Sequence, residues 1–195
     1  MNKHFVLGSG SKRRLELLSQ IGVKPDLVLS PNINEKVISK EPPHIYVERM
    51  SLEKNRVFQQ QYSQSIILTA DTVVAIGRRI LPKTMDENTA EQCLKLISGR
   101  RHKVLTSFTI NTPHNSLKTK TIQSIIKFKR LHPDEISYYL ASKEWEGKAG
   151  GYAIQGLASS FINFISGSYS NVVGLPLAEL YKALISVGYK FKNDK

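Results

Sequence analysis

Residues 65–76 read SIILTADTVVAI, an apolar and β-branched run broken by one carboxylate, Asp71. That composition marks a buried strand. A carboxylate inside such a strand costs on the order of several kcal/mol unless a cation or a metal answers its charge. Asp71 is therefore either the centre of a functional site or a cap for a neighbouring turn, and the apolar flanks favour the site. On the carboxyl side, Gly77-Arg78-Arg79 turns the strand, and Asp86 reads as the N-cap of a helix carrying Ala90, Cys93, Leu94 and Ile97 that stops at Ser98-Gly99. On the amino side, Pro42-Pro43 opens a helix to about Gln61. Val47, Met50 and Val57 are expected on its buried face with Lys54 among them, so Lys54 either reaches toward a site or snorkels to solvent.

Further out, Phe5-Val6-Leu7 reads as a short buried strand ending at Gly8-Ser9-Gly10-Ser11, followed by a helix in which Leu15, Leu18 and Ile21 recur until Gly22. Residues 103–111 and 117–129 form two long β-like segments around the turn TPHNS, a hairpin pattern. Pro133 starts a helix through Ala141, the glycine-rich EGKAGGYAIQG follows, then a strand at 161–165 and a last helix from Pro176 to Val187. The order predicts an α/β fold with a mixed twisted sheet flanked by helices, in one domain spanning residues 1–195.

Composition bounds the function. Of 195 residues, 41% are hydrophobic and 23% charged, as in a soluble globular protein, and no apolar run is long enough to cross a bilayer. The amino end lacks a signal-peptide core and Cys93 is the only cysteine, so a cytoplasmic, reducing location is expected. Twenty-eight Lys and Arg against 16 Asp and Glu give a net charge of +12, which suits a polyanionic partner or simply a solvated basic surface. His4, His44, His102, His114 and His132 show no metal-ligand spacing.

The turn from Ser9 to Arg14 places hydroxyls and arginines at a helix start, where free N–H groups and the positive end of the dipole favour an anion. First turns prefer acidic residues, yet Lys12, Arg13 and Arg14 crowd this one. A bound phosphate relieves that repulsion; the plainer alternative is a solvated basic turn capped by Ser11. Glu35 and Lys83 are unremarkable singly and read as surface. Lys148 and Gln155 lie in the glycine-rich stretch, where a ligand can approach the backbone closely.

Taken in order, LGSGSKRRLELL at 7–18, INE at 33–35, YVERMSLEK at 46–54, ADTVV at 70–74, ILPK at 80–83, ISGRRHKVLT at 97–106, GKAGGYAIQG at 147–156 and GSYSNVVGLPL at 167–177 resemble the Maf family. The resemblance runs nearly end to end. It implies a fold related to inosine-triphosphate pyrophosphatases, with two lobes and a ligand cleft, and a nucleoside triphosphate diphosphatase activity first linked to septum formation. It also implies that Ser9, Arg13 and Arg14 bind phosphate, and that Lys54 and Lys83 neutralise the triphosphate. Glu35 and Asp71 would hold a divalent cation, Mg or Mn, or activate water, with Asp71 catalytic. YAIQG resembles the branch acting on dTTP and UTP, whereas the branch for methylated guanine nucleotides carries an acidic residue near Gln155; Arg13, Thr72 and Gln155 are the positions for base choice. One departure stands out: the family pattern G-K-P is replaced by Pro82-Lys83-Thr84.

The expected partners are a nucleoside triphosphate and a second copy in a homodimer, with no membrane contact. A nucleic-acid-binding or cell-division regulator without turnover is the rival reading, motivated by charge alone; helix-turn-helix, zinc-finger and aromatic RNA-binding motifs are lacking.

Overall fold

The computed structural model describes residues 4–113 and 116–191. His114 and Asn115 of the TPHNS turn lie outside them. In chain order the elements are β1 (Phe5–Gly8), α1 (Lys12–Gln20), β2 (Leu27–Leu29), α2 (Pro43–Gln59), β3 (Ile66–Ile76), β4 (Arg79–Leu81) and α3 (Glu87–Ile97). They continue with β5 (Arg101–Asn111), β6 (Leu117–Phe128), α4 (Pro133–Ala141), a 3₁₀ turn (Leu157–Phe161), β7 (Ile162–Ser166), α5 (Tyr169–Val173) and α6 (Leu177–Ser186). The strands form one mixed sheet in the order β2-β1-β3-β5-β6-β7, with β4 pairing β3 off that path. β1 is parallel to both β2 and β3, while β4 and β7 run antiparallel to β3 and β6. Mixed α/β architecture is as the sequence predicts.

Two compact units divide the chain. The first comprises residues 1–71, 106–122 and 174–195, the second residues 72–105 and 123–173. In the first, Val6, Phe58 and Ile67 form a buried cluster with Leu29 and Tyr62 against it. Gly8 is required there, because a Cβ would lie 2.6 Å from Thr69 Cγ2 and 2.7 Å from a Phe58 ring carbon. β1 thus reaches close to its neighbours just before the basic turn.

In the second unit an edge-to-face aromatic series, His102, Tyr152, Phe128, Phe161 and Tyr139, fills the interior. Burial holds the His102 imidazole down to about 4, so it is neutral at pH 7, and its Nε2 shares a 2.8 Å hydrogen bond with the Tyr152 hydroxyl. Asp86 caps α3 as expected, accepting from the Thr89 amide at 2.8 Å. His132 and Glu135 form a capping box at the start of α4, whose bounds match the sequence reading.

Three expectations are corrected. Val57 is exposed, because ten residues after Val47 a helix has turned well off the starting face; the buried face of α2 is Tyr46, Val47, Met50, Ser51, Lys54, Asn55 and Phe58. Leu15 is likewise exposed, and α1 buries Arg14, Leu17 and Leu18. The strand expected at 161–165 is displaced by one residue to Ile162–Ser166, because Leu157–Phe161 closes a 3₁₀ turn first.

Candidate active site

β1 delivers the chain to Ser9, which is buried, and α1 begins at Lys12 with no acidic residue in its first turn. Ser11 stands at the N-cap position but makes no side-chain cap bond, so the Ser11 cap of the plainer alternative is absent. The Ser9 hydroxyl instead accepts from the Ser11 amide at 3.3 Å and from Arg14 Nη1 at 3.0 Å. Arg14 is buried and its Nε donates to the Gly174 carbonyl at 2.9 Å. Burial pushes the Arg14 guanidinium below its ordinary pKa, the Asp71 carboxylate opposes this, Arg13 adds to it and Glu35 opposes it. Arg13 is half-buried and Lys12 exposed. Arg14 therefore shapes the turn as well as charging it.

Asp71 is fully buried on β3, and its Oδ1 lies 2.7 Å from Lys54 Nζ. The same ammonium lies 2.7 Å from Glu35 Oε1. One lysine thus bridges two carboxylates, which answers the charge problem that the sequence posed at Asp71. Lys54 does not snorkel: its side chain is 6% exposed, against 38% for Glu35, so the set opens to solvent on the Glu35 side. α2 supplies Lys54 from the buried face that also packs Ser51 against Ser107 and Thr109 of β5. The loop from 30 to 42 supplies Glu35.

The donor set fits a hard divalent cation. Carboxylate oxygens from Glu35 and Asp71 are the right chemistry for Mg²⁺ or Mn²⁺. Among the described residues no group of three or more His, Cys, Asp and Glu gathers, so a metal here would draw its other ligands from phosphate oxygens and water, the usual arrangement for Mg²⁺.

Ser9, Arg13, Arg14, Glu35, Lys54 and Asp71 all belong to the first unit, whereas Thr72, Lys83 and Gln155 belong to the second. Thr72 is half-buried and, next to Asp71 on β3, points to the opposite side of the strand. Lys83 is exposed, in an antiparallel bridge with Ala149. The altered Pro82-Lys83-Thr84 stretch zips onto the glycine-rich segment: the Gly150 amide donates to the Pro82 carbonyl at 3.1 Å and that of Gly147 to Thr84 at 2.9 Å.

Gln155 is exposed on a segment pinned at three points. Tyr152 hydrogen-bonds His102, the Ala153 amide donates to the Tyr139 hydroxyl at 3.1 Å, and the Leu157 amide donates to Glu144 Oε2 at 2.8 Å. Tyr152 is core, not a stacking surface for a base. Sequence reading missed Tyr139, Glu144, Tyr46 and Arg49. Only the i, i+3 spacing of Tyr46 and Arg49 within YVER could have drawn attention to the last two.

The chain matches the family described as Maf-like protein over residues 4–187. It is 50% identical over 189 residues to a dTTP/UTP pyrophosphatase of Zymomonas mobilis, covering 97% of this chain and 94% of that one. It is 47% identical over 181 residues to a nucleoside triphosphate pyrophosphatase of Ehrlichia chaffeensis, covering 93% and 94%. Among solved structures, a HAM1 protein from Coxiella burnetii aligns over 94% of this chain and 99% of that one, at 13% identity and a TM-score of 0.49. The sequence matches alone decide the assignment: with residues 4–187 matched and half the positions shared with a full-length relative, the chain belongs to the Maf-like protein family.

Proposed function

We propose that this chain hydrolyses a nucleoside triphosphate to the monophosphate and pyrophosphate, with dTTP and UTP as preferred substrates. The observation that carries the reading is the Glu35–Lys54–Asp71 set, buried at Lys54 and Asp71 and open at Glu35, in the same unit as the Ser9–Arg14 turn. The names of its relatives, dTTP/UTP pyrophosphatase and nucleoside triphosphate pyrophosphatase, support the reaction class and the pyrimidine preference.

In the proposed reaction a water oxygen bonds to the α-phosphorus, the bond from that phosphorus to the bridging oxygen breaks, and pyrophosphate leaves with the electron pair. Asp71 accepts the proton of the attacking water. Lys54 holds the Asp71 and Glu35 carboxylates and offers charge to the phosphate oxygens, and Arg13 adds a forked donor suited to phosphate. Ser9 and Arg14 shape the turn that receives the phosphates. Mg²⁺ or Mn²⁺ bound by Glu35 and Asp71 would draw charge from the phosphate oxygens. A carboxylate next to a dication is a poor base, so a cation held mainly by Glu35 would leave Asp71 the better proton acceptor.

In the second unit, Lys83 is assigned to the triphosphate charge, and Thr72 and Gln155 to base choice. A glutamine amide presents both a donor and an acceptor, matching the carbonyl and imide N–H edge shared by uracil and thymine. The substrate class and the single free, buried Cys93 support a cytoplasmic location. Among the described residues, no helix is long and apolar enough to cross a membrane.

A coupled pyrophosphatase assay with dTTP, UTP, CTP, dGTP and 7-methyl-GTP, run with and without Mg²⁺ or Mn²⁺, tests the reading. The expected result is metal-dependent pyrophosphate release, fastest on dTTP and UTP. CTP should be poorer, because its amino group reverses one hydrogen-bond demand. No release from any triphosphate would overturn the proposal; a preference for 7-methyl-GTP would overturn only the pyrimidine assignment.

A further inference from the structure

Glu35 sits on a stretch, residues 30–42, that contains neither helix nor strand. No helix or strand ladder fixes it; its local bonds include those from the Lys36 amide to Asn34 Oδ1 at 3.0 Å and from the Glu41 amide to the Ile38 carbonyl at 3.0 Å, and α2 adds the contacts that tie the stretch to Lys54. α2 does this with two side chains. The Tyr46 hydroxyl donates to the Glu35 carbonyl at 2.9 Å, and Arg49 Nη2 donates to the Lys36 carbonyl at 3.0 Å. Arg49 also grips Glu41 through Nε and Nη2, both at 2.7 Å, and reaches Glu53 at 3.2 Å. Glu41 closes the loop by accepting from the Ile38 amide at 3.1 Å.

Tyr46, Arg49 and Glu53 are spaced i, i+3, i+7, a single stripe of α2, and Lys54 follows on the same turn as Glu53. One helix therefore fixes both the backbone that carries Glu35 and the ammonium that receives its carboxylate. Tyr46 is buried, and burial, followed by the Asp71 and Glu35 charges, raises its phenol pKa, so the hydroxyl stays a donor at working pH.

We propose that Tyr46 and Arg49 are positioning residues for Glu35, clamping the carbonyls of residues 35 and 36 so that the Glu35 carboxylate stays registered on Lys54 next to Asp71. The inference rests on the proposed role of Glu35 in triphosphate hydrolysis. Neither side chain needs to touch the nucleotide, and the clamp matters because a misplaced catalytic group lowers turnover far more than it alters substrate affinity.

The test is a double-mutant cycle in the full chain with dTTP and Mg²⁺, measuring kcat and KM for Tyr46→Phe, Glu35→Gln and the pair, with thermal melts on each. Tyr46→Phe keeps the buried ring and removes only the donor. Its kcat should fall about tenfold with KM for dTTP within about twofold and the melting midpoint nearly unchanged. Tyr46→Phe in the Glu35→Gln background should cost nothing further. Arg49→Lys, which keeps charge and loses the fork, should show the same kcat pattern if Tyr46→Phe folds poorly. Unchanged kcat in both variants, or an effect of Tyr46→Phe that simply adds to that of Glu35→Gln, would overturn the positioning role. Full turnover in Glu35→Gln itself would instead overturn the parent reading of Glu35.

Discussion

At the scale of single residues, the bridging ammonium at Lys54 decides what each substitution does. Asp71→Asn removes a charge and keeps the shape, and Lys54 still holds Glu35, so the fold should survive while turnover falls at least about a hundredfold. Initial rates and far-UV circular dichroism on the same preparation check both halves; near-normal turnover would move the chemistry to another group. His102 gives a pH effect of definite sign. Its folded-state pKa lies at about 4, below the ordinary 6.5, so the unfolded chain takes up the proton first as the solution is acidified. Stability is whole above pH 6.5 and declines as pH falls toward 4, by no more than about 3 kcal/mol from this group. Urea melts from about pH 7.5 down to about pH 4.5, which brackets most of this decline, should show a flatter profile in His102→Gln. Asp71 and Lys54 were legible in the sequence as misfits, a charge in a β-branched run and a charge on an apolar helix face. Glu35 was legible only through family resemblance, and Tyr46 and Arg49 only as an i, i+3 pair, because the acceptors through which they hold residues 35 and 36 are backbone carbonyls, which every residue carries.

At the scale of elements, what the sequence shows depends on whether an element carries its own signals. α3 and α4 announce themselves through Asp86 and Pro133, and their bounds follow. β2 is three residues long and α5 five, too short to hold a period; β2 pairs with β1, and α5 is tied down through Asn171, which donates to the Val104 carbonyl and the Ser124 hydroxyl. The glycine-rich segment is where close packing replaces side-chain signals. Gly150 has φ +68° and a Cβ there would lie 2.8 Å from Val74 of β3, whereas Gly22, at φ +69°, faces nothing within 4 Å. Gly22→Ala should therefore cost only the left-handed strain, about 1–2 kcal/mol. Gly150→Ala should cost that plus a collision with β3, a total nearer about 3 kcal/mol or more. Urea unfolding of the two variants side by side checks the ordering, and equal losses would show that Val74 yields freely.

At the scale of the whole molecule, three of the four boundaries of the two compact units fall inside strands, between Asp71 and Thr72 of β3, Leu105 and Thr106 of β5, and Ile122 and Gln123 of β6, and the fourth follows Val173 at the end of α5. Strand pairing is cooperative along its length, so the chain should unfold in one transition. Trp145, the sole tryptophan, is buried in the second unit and donates to the Leu140 carbonyl at 2.8 Å. Its fluorescence should lose the native signal at the same urea concentration as the far-UV circular dichroism of the whole chain, whereas two separated midpoints would mean two independently folding domains. The net charge of +12 should also speed capture of a polyanion, so kcat/KM for a triphosphate should fall as KCl rises from about 50 to about 300 mM. The Lys54 bridge has a consequence for covalent labelling. An amine acylates only as a free lone pair open to reagent, and this one is enclosed with a carboxylate on either side. Acetic anhydride should modify the exposed lysines, such as Lys12 and Lys83, well before Lys54. Mass-spectrometric footprinting of that single position then reports when either carboxylate lets go, with no substrate added.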